Sequence, residues 1–373
     1  MAPAAVSHRL ERLRARQGAM VDALAALVAL ESPSSDPAAL ARCADGVAAL
    51  LHDRLGRPPV AEGTHLRWSG GGSPDVVVIG HFDTVWPLGT LAGRPFTVTD
   101  GVASGPGALD MKAGIVQLAE GLATLGDRTG VEVVLTSDEE VGSRTSRDLV
   151  ERVARGARAA LVLEPCAPGG ALKTARKGTG DYTLRVEGRA AHAGNEPERG
   201  ANALTALAQA VLAAAALARP DLGTTVTPTL ASAGSASNVV PAEAFAHLDV
   251  RATEGAESSR LDRDLRALTS TVAGTSLRVD GGWNRPPMPA SASAALFAAA
   301  QACATRLGLG PLSGMAVGGG SDGNFTAAVG VPTLDGLGGV GAGMHAVDEH
   351  VVVATMPERA ALLAELIEAI RAQ

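Results

Sequence analysis

The chain has 373 residues, enough for two domains and a large core, and 46% of them are hydrophobic while only 2% are aromatic. The core is therefore aliphatic, with little aromatic surface on which nucleic-acid bases could stack. A formal net charge of -7 opposes a general affinity for nucleic acid or an anionic membrane and leaves a small molecule or a peptide as the expected ligand.

In chain order, His8 to Leu30 mixes Arg and Glu into its apolar residues and reads as a surface helix. No basic segment followed by an uninterrupted apolar run precedes it, so a cytoplasmic location is expected. Short β-branched runs then alternate with amphipathic stretches: Asp75-Val-Val-Val-Ile-Gly80, a helix from Asp110, Val131 to Thr136, a helix near Ser146 to Arg155, and Ala160 to Glu164. That rhythm predicts an α/β sheet with strands buried on both faces, and in such sheets ligands collect beyond the carboxyl ends of the strands. From Thr179 the pattern becomes strand (Asp181–Gly188), helix (Glu198–Ala218), strand (Thr224–Ala231), strand (Ala242–Ala252), helix (Glu257–Val272) and strand (Ser276–Gly282). This β-α-β-β-α-β order predicts a ferredoxin-like unit. Helical and glycine-rich segments resume after Arg285-Pro286-Pro287 and end in a helix from Met356 to Ala372. The expectation is one catalytic domain, 1–177 and 285–373, interrupted by a smaller domain, 178–284. The Ala-rich stretch from Ala203 to Ala218 is too short to span a bilayer. Cys43, Cys166 and Cys303 have no C-x-x-C spacing and build neither a disulfide framework nor a thiolate zinc site.

The residues with the clearest chemistry are His81-Phe82-Asp83, Asp110, Glu139-Glu140, Glu164 and His345. Two imidazoles and three carboxylates, one of them shared, suit two Zn²⁺ ions about 3.5–4 Å apart, with one more Glu to serve as a base. H-x-D alone means little, because His247-Leu248-Asp249 repeats it inside an alternating strand and reads as structural. At His81 the context differs: a buried strand delivers it, and Asp83 is placed to orient its ring. Asp110 follows the turn-rich Ser104-Gly105-Pro106-Gly107 and is also expected to cap the next helix, while Gly114 behind it permits close approach of other backbone. Ser137-Asp138-Glu139-Glu140-Val141-Gly142 would ordinarily be a solvated charge run. At the end of a buried strand its two Glu residues divide into Glu140 as metal ligand and Glu139 as general base toward water. Glu164 closes another buried strand. His345, after the glycine-rich Gly338–Met344 run, is preferred over His350, which leads directly into Val351-Val352-Val353.

With these residues in place, the chain resembles the dinuclear zinc carboxypeptidase and aminoacylase family over essentially its whole length, and most closely the bacterial glutamate carboxypeptidases. Gly80-His-Phe-Asp-Thr-Val85, Gly107-Ala-Leu-Asp-Met-Lys-Ala-Gly114, Asp138-Glu-Glu-Val-Gly142 and Gly319-Gly-Ser-Asp-Gly323 look like its motifs in order. The resemblance implies a mixed-sheet zinc-peptidase domain with an inserted ferredoxin-like α+β dimerisation, or lid, domain. It implies that His81, Asp110 and Glu164 hold one zinc and Asp110, Glu140 and His345 the other, with Mn²⁺ or Co²⁺ as substitutes. It also implies Glu139 as base and later acid, and His192, in Arg189-Ala-Ala-His-Ala-Gly194, as an oxyanion donor supplied by the other subunit of a homodimer. Asn238, in Ser237-Asn-Val-Val-Pro241, resembles a substrate contact. Arg285 and Lys177 resemble the cations that receive a substrate carboxylate, and Arg251 is a weaker candidate that pairs with Asp249 in the plain reading. The implied reaction is cleavage of an amide whose leaving amine belongs to an amino acid with a free carboxylate. The alternatives are an N-acyl-amino-acid deacylase and a non-catalytic binding protein on the same fold.

Overall fold

The computed structural model describes residues 8–372, which divide into two compact units. The first comprises residues up to Ala175 together with Pro289–Val317 and everything from Ser321 onward. Its main sheet is built from β1 (Val60–Glu62), β2 (His65–Ser69), β3 (Val76–His81), β4 (Val131–Thr136) and β5 (Ala159–Val162), and the strand Thr333–Leu334 completes it. The spatial order is β1-β2-β4-β3-β5 and then Thr333–Leu334. β3 runs parallel to both β4 and β5, whereas β2 is antiparallel to β4, so the sheet is mixed as expected.

Every residue of β3, β4 and β5 is buried, because both faces of the sheet are covered. Along β3 the side chains alternate. Val76 and Val78 enter the larger core with Ile115, Leu118 and Ile367, while Val77 and Ile79 face Leu149, Val150 and Phe325. Each such valine or isoleucine, fully removed from water, contributes about 1.5–3 kcal/mol before entropy is counted. The helix Ala113–Ala123 is buried along almost its whole length, and a Cβ on its Gly121 would stand 2.7 Å from Ala360 O of the C-terminal helix Met356–Arg371.

Two expectations fail locally. The helix predicted over His8–Leu30 is two, His8–Arg14 and Gln17–Val28, separated at Arg16, whose guanidinium donates to Glu120 at 2.6 and 2.9 Å. Asp110 does not cap a helix: Ala108–Lys112 is an irregular turn, Asp110 itself is extended at φ -110°, ψ 94°, and the regular helix begins at Ala113. The N–H groups that a capping Asp110 would serve are taken by backbone, Lys112 N donating to Gly107 O and Ala113 N to Ala108 O, while Glu349 accepts the N–H groups of Gly107, Leu109 and Asp110.

The second unit spans Arg176–Met288 with Gly318–Gly320. It contains β6 (Gly178–Glu187), the helix Ala203–Ala215, β7 (Thr225–Ala233), β8 (Glu243–Ala252), the helix Gly255–Arg266 and β9 (Ser276–Arg285). The strands form one antiparallel sheet in the order β7-β8-β6-β9. Alternate residues of β6, among them Tyr182, Leu184 and Val186, pack with Leu207, Leu261 and Leu265 from the two helices. The first helix starts later than predicted, because Asn202 caps it by accepting Thr205 N at 3.0 Å. The second stops at Arg266, short of the predicted Val272.

Glu257, 8% exposed at the start of that second helix, binds this unit together. Its carboxylate accepts Arg260 Nε and Nη2 at 2.8 Å each, Thr224 Oγ1 at 2.9 Å and Arg219 Nη1 at 3.2 Å. The Arg260 fork, chiefly, holds its pKa down to about 2. A carboxylate lowered on folding stabilises above its unfolded pKa and loses that contribution as pH falls through its folded value. Glu257→Gln should therefore cost about 1–3 kcal/mol at pH 7. In urea melts the gap between parent and variant should close as pH falls from the ordinary Glu value of 4.5 toward 2. A gap that stays constant across that interval would remove Glu257 from the acid sensitivity of the unit.

Candidate metal centre

The parallel registers of β3, β4 and β5 bring their carboxyl ends to one edge of the sheet. His81 is the last residue of β3 and lies opposite Thr136, the last of β4. Glu139 and Glu140 follow β4 in a single tight turn, Glu139–Val141, and Glu164 stands just beyond β5. His81 Nδ1 lies 3.0 Å from the Asp83 carbonyl oxygen, which can only accept, so Nδ1 donates and Nε2 is the atom turned toward the acids. Nε2 is 3.2 Å from Asp110 Oδ1 and 3.5 Å from Glu164 Oε1.

The other Asp110 oxygen faces the opposite way. His345 Nε2 lies 3.2 Å from Asp110 Oδ2 and 3.2 Å from Glu140 Oε2. Among the described residues two donor groups result, His81–Asp110–Glu164 and Asp110–Glu140–His345, each with its ligand atoms within 4.8 Å of one another. Asp110 belongs to both. The first group is buried, whereas the second opens to solvent through the half-exposed His345, whose backbone sits at φ 61° after Gly343 at φ 76°.

The electrostatics fit a pair of cations. Burial works against charge on His81, yet Asp110, Asp83 and Glu164 hold its pKa well above the ordinary value. Asp110 and Glu140 push His345 up to about 10. Asp110 is buried, but its bonds to His345 and His81 hold it well below the usual carboxylate range, while burial pushes Glu140 up. Glu140 Oε1 is buried with no hydrogen-bond partner. Without ions, protons on two imidazoles supply the positive charge between three carboxylates, and divalent ions would supply it better to this mixed N and O donor set.

The surrounding structure fixes the donors. The Asp83 carboxylate lies 3.4 Å from His81 Nδ1 and also accepts Glu139 N and Glu140 N at 3.2 Å each and Ser34 Oγ at 2.6 Å, so it holds the two-Glu turn as well as facing the ring. Asp322, from the fourth motif, accepts Thr136 Oγ1 at 3.0 Å and Ser143 Oγ, pinning that turn from the other side. A Cβ on Gly114 would stand 2.6 Å from Leu163 O, and one on Gly338 2.0 Å from it, so backbone passes this close to Glu164 only because both are glycine. Two buried charges were missed in the sequence: Lys173, with Nζ 3.6 Å from Glu164 Oε2, and Glu349 beneath the Asp110 turn. Neither sits in a recognisable motif, and their partners are distant in the chain.

The remaining candidates lie elsewhere. His350 is in a short strand with Nδ1 2.7 Å from Asp348 O and belongs to neither donor group. His247 meets Thr183 Oγ1 at 2.9 Å and packs edge-on against Phe245, a structural role. In the second unit, His192 is exposed and its Nδ1 accepts Gly194 N and Asn195 N at 3.1 Å each. Its segment bridges to Val239, and Ala193 N donates to Asn238 O at 2.9 Å, so His192 and Asn238 lie on adjoining strands of chain. Arg285 ends β9 opposite Thr179 near the start of β6, which places Lys177 and Arg285 at the same end of paired strands. Arg251 forms a two-pronged pair with Asp249 at 2.7 and 2.6 Å, and Arg176 donates to the carbonyls of Gly319 and Gly320.

The model of Peptidase family M20/M25/M40 matches residues 77–369. Carboxypeptidase G2 from Pseudomonas sp. (strain RS-16) is 31% identical over 309 residues, covering 80% of this chain and 74% of that protein. Succinyl-diaminopimelate desuccinylase from Methylorubrum populi is 29% identical over 330 residues, covering 80% and 83%. Among solved structures, aminopeptidase PepT from Bacillus cereus superimposes with a TM-score of 0.76 at 21% identity, over 95% of this chain and 99% of that one. The family model, the relative above 30% identity and the shared fold agree with the motifs: the chain is a hydrolase of the metallopeptidase class and belongs to Peptidase family M20/M25/M40.

Proposed function

We propose that this protein is a dinuclear zinc-dependent amidohydrolase of the carboxypeptidase type, releasing an amino acid with a free α-carboxylate from the acyl or peptidyl group it is bonded to. The observation behind this reading is the carboxylate of Asp110, whose two oxygens face His81 and His345 at 3.2 Å each and so complete two donor sets at once. His81, Asp110 and Glu164 would hold one ion; Asp110, Glu140 and His345 the other. Zn²⁺ suits the mixture of imidazole and carboxylate, and Mn²⁺ or Co²⁺ are accepted substitutes. When bound, such ions polarise the scissile carbonyl and acidify water.

The chain's own residues do the rest. Glu139, beside a ligand and held by Asp83 through its N–H, takes the proton of the attacking water and returns it to the departing amine. His192 uses Nδ1 to accept two backbone N–H groups, which leaves the proton on Nε2 and makes that nitrogen a donor for a developing oxyanion. Lys177 and Arg285 receive the α-carboxylate, with Asn238 as a further polar contact, and the second unit serves as dimerisation and lid domain. His192 of one subunit serves the metal pair of the other in a cytoplasmic homodimer. No helix among the described residues is long and apolar enough to cross a membrane. A second reading, N-acyl-amino-acid deacylase, is favoured by the desuccinylase relative, and it differs only in the group on the acyl side.

Glu139→Gln should leave the fold and close to two zinc ions per chain in place while lowering kcat by at least about 10²-fold. Near-normal turnover, or a fully loaded parent holding a single ion, would defeat this scheme. In a hydrolysis screen of peptidyl and N-acyl amino acids with chelator controls, converting the α-carboxylate to a carboxamide should reduce kcat/KM by about 10- to 10²-fold, the worth of a charged hydrogen bond. Indifference to that change would refute carboxylate recognition, and the series of acyl groups separates the two readings. Mixed dimers of His192→Ala and Glu139→Gln chains should recover part of the activity. No recovery in verified heterodimers would count against a site shared between subunits.

A further inference from the structure

The turn leading into Asp110 directs its backbone N–H groups inward, and a single side chain meets them. Glu349 Oε1 accepts Leu109 N at 2.9 Å and Asp110 N at 3.1 Å. Oε2 accepts Gly107 N at 2.9 Å and the Trp86 indole Nε1 at 2.8 Å. The residue is 1% exposed, so four protein donors meet a carboxylate removed from bulk solvent.

Each segment it joins bears or adjoins a proposed metal donor. Trp86 lies on the loop that leaves β3 after His81. Asp110 is itself one of the bonded residues. Glu349 lies on the loop of His345, which is folded on itself by Ala346 N to Gly343 O at 2.8 Å and Glu349 N to Ala346 O at 3.1 Å. Asp110 has a short side chain, so the plane of its carboxylate follows its backbone, and any rotation that favours one histidine moves the second oxygen away from the other. We propose that Glu349 is a positioning residue for the metal pair: by binding the Asp110 turn, the Trp86 loop and the His345 loop through one carboxylate, it sets the shared ligand for both ions. This rests on the dinuclear reading above.

The chemistry requires a carboxylate. Glutamine offers one acceptor oxygen, and its amide NH₂ would confront either Leu109 and Asp110 N–H or Gly107 and Trp86 N–H, leaving buried donors facing a donor. Aspartate keeps the charge but is shorter by one methylene. The test is zinc titration of chelator-stripped protein against a competing chromophoric chelator, below the unfolding temperature of each apo form, with fold checked by circular dichroism and gel filtration. Folded Glu349→Gln should bind both zinc ions about 10- to 100-fold more weakly, as loss of a partner that orients ligands does, and Glu349→Asp should recover part of that loss. A folded Glu349→Gln that binds zinc with parental affinity overturns the proposal. Should Glu349→Gln not fold, Trp86→Phe decides: it deletes one of the four bonds, so weaker zinc binding supports the role and parental affinity refutes it. If the parent binds only one ion, the dinuclear reading fails, while the affinity of that ion in Glu349→Gln still decides the role of Glu349.

Discussion

The Asp110 carboxylate stands within 4.8 Å of a Glu164 oxygen on one side and of a Glu140 oxygen on the other, and such neighbours repel. Asp110, Glu140 and Glu164 are held there nonetheless. Their proximity is tolerable only with positive charge among them, and the two histidines, with Lys173 at the edge of the first group, supply part of it. Much of the first unit can be read as the means of enforcing that contact. Parallel registers align the ends of three strands, Asp83 and Asp322 clamp the turn with two Glu residues, and glycines at 114 and 338 let chain pass where a methyl group would collide.

Asp83 illustrates how few groups do this. Its carbonyl oxygen fixes the ring of His81, and its carboxylate holds the backbone of the proposed base and of a proposed ligand. One residue thus couples the orientation of a donor to the placement of the group that would move the proton, and the tightness of one depends on the other.

The sequence made β3, β4 and β5 legible because burial on both faces leaves an unbroken β-branched run, as in Val131–Thr136, and the ligand candidates stood at the ends of such runs, whereas the short, partly exposed β1 and the strand β2 beside it carry no such run. It also preferred His345, for the glycine-rich run before it, to His350, which leads into a valine run, and of the two only His345 lies in a donor group. It misread Asp110 as a helix cap, since nothing local marks that its carboxylate turns to two histidines while its own N–H is held by Glu349, 239 residues further along. Lys173 was missed for the same reason: a lysine in a strand has no local mark of facing Glu164. Periodicity reports which face is buried, but not which distant charge will be waiting there. The pairing of the His192 segment with Val239, which sets His192 beside Asn238, was likewise invisible until the chain was folded.

The division of the first unit around the second has a consequence for the order in which the site is made. His81, Asp110, Glu140 and Glu164 all precede Arg176, where the second unit begins, whereas His345 lies beyond Met288, where its main segment ends. Every donor of the first group is therefore translated before the second unit begins. The second group, and the Glu349 carboxylate that holds the Asp110 turn, can be completed only after that whole unit and the loop bearing His345 have been made, so the two donor groups are separated in translation by an entire folding unit.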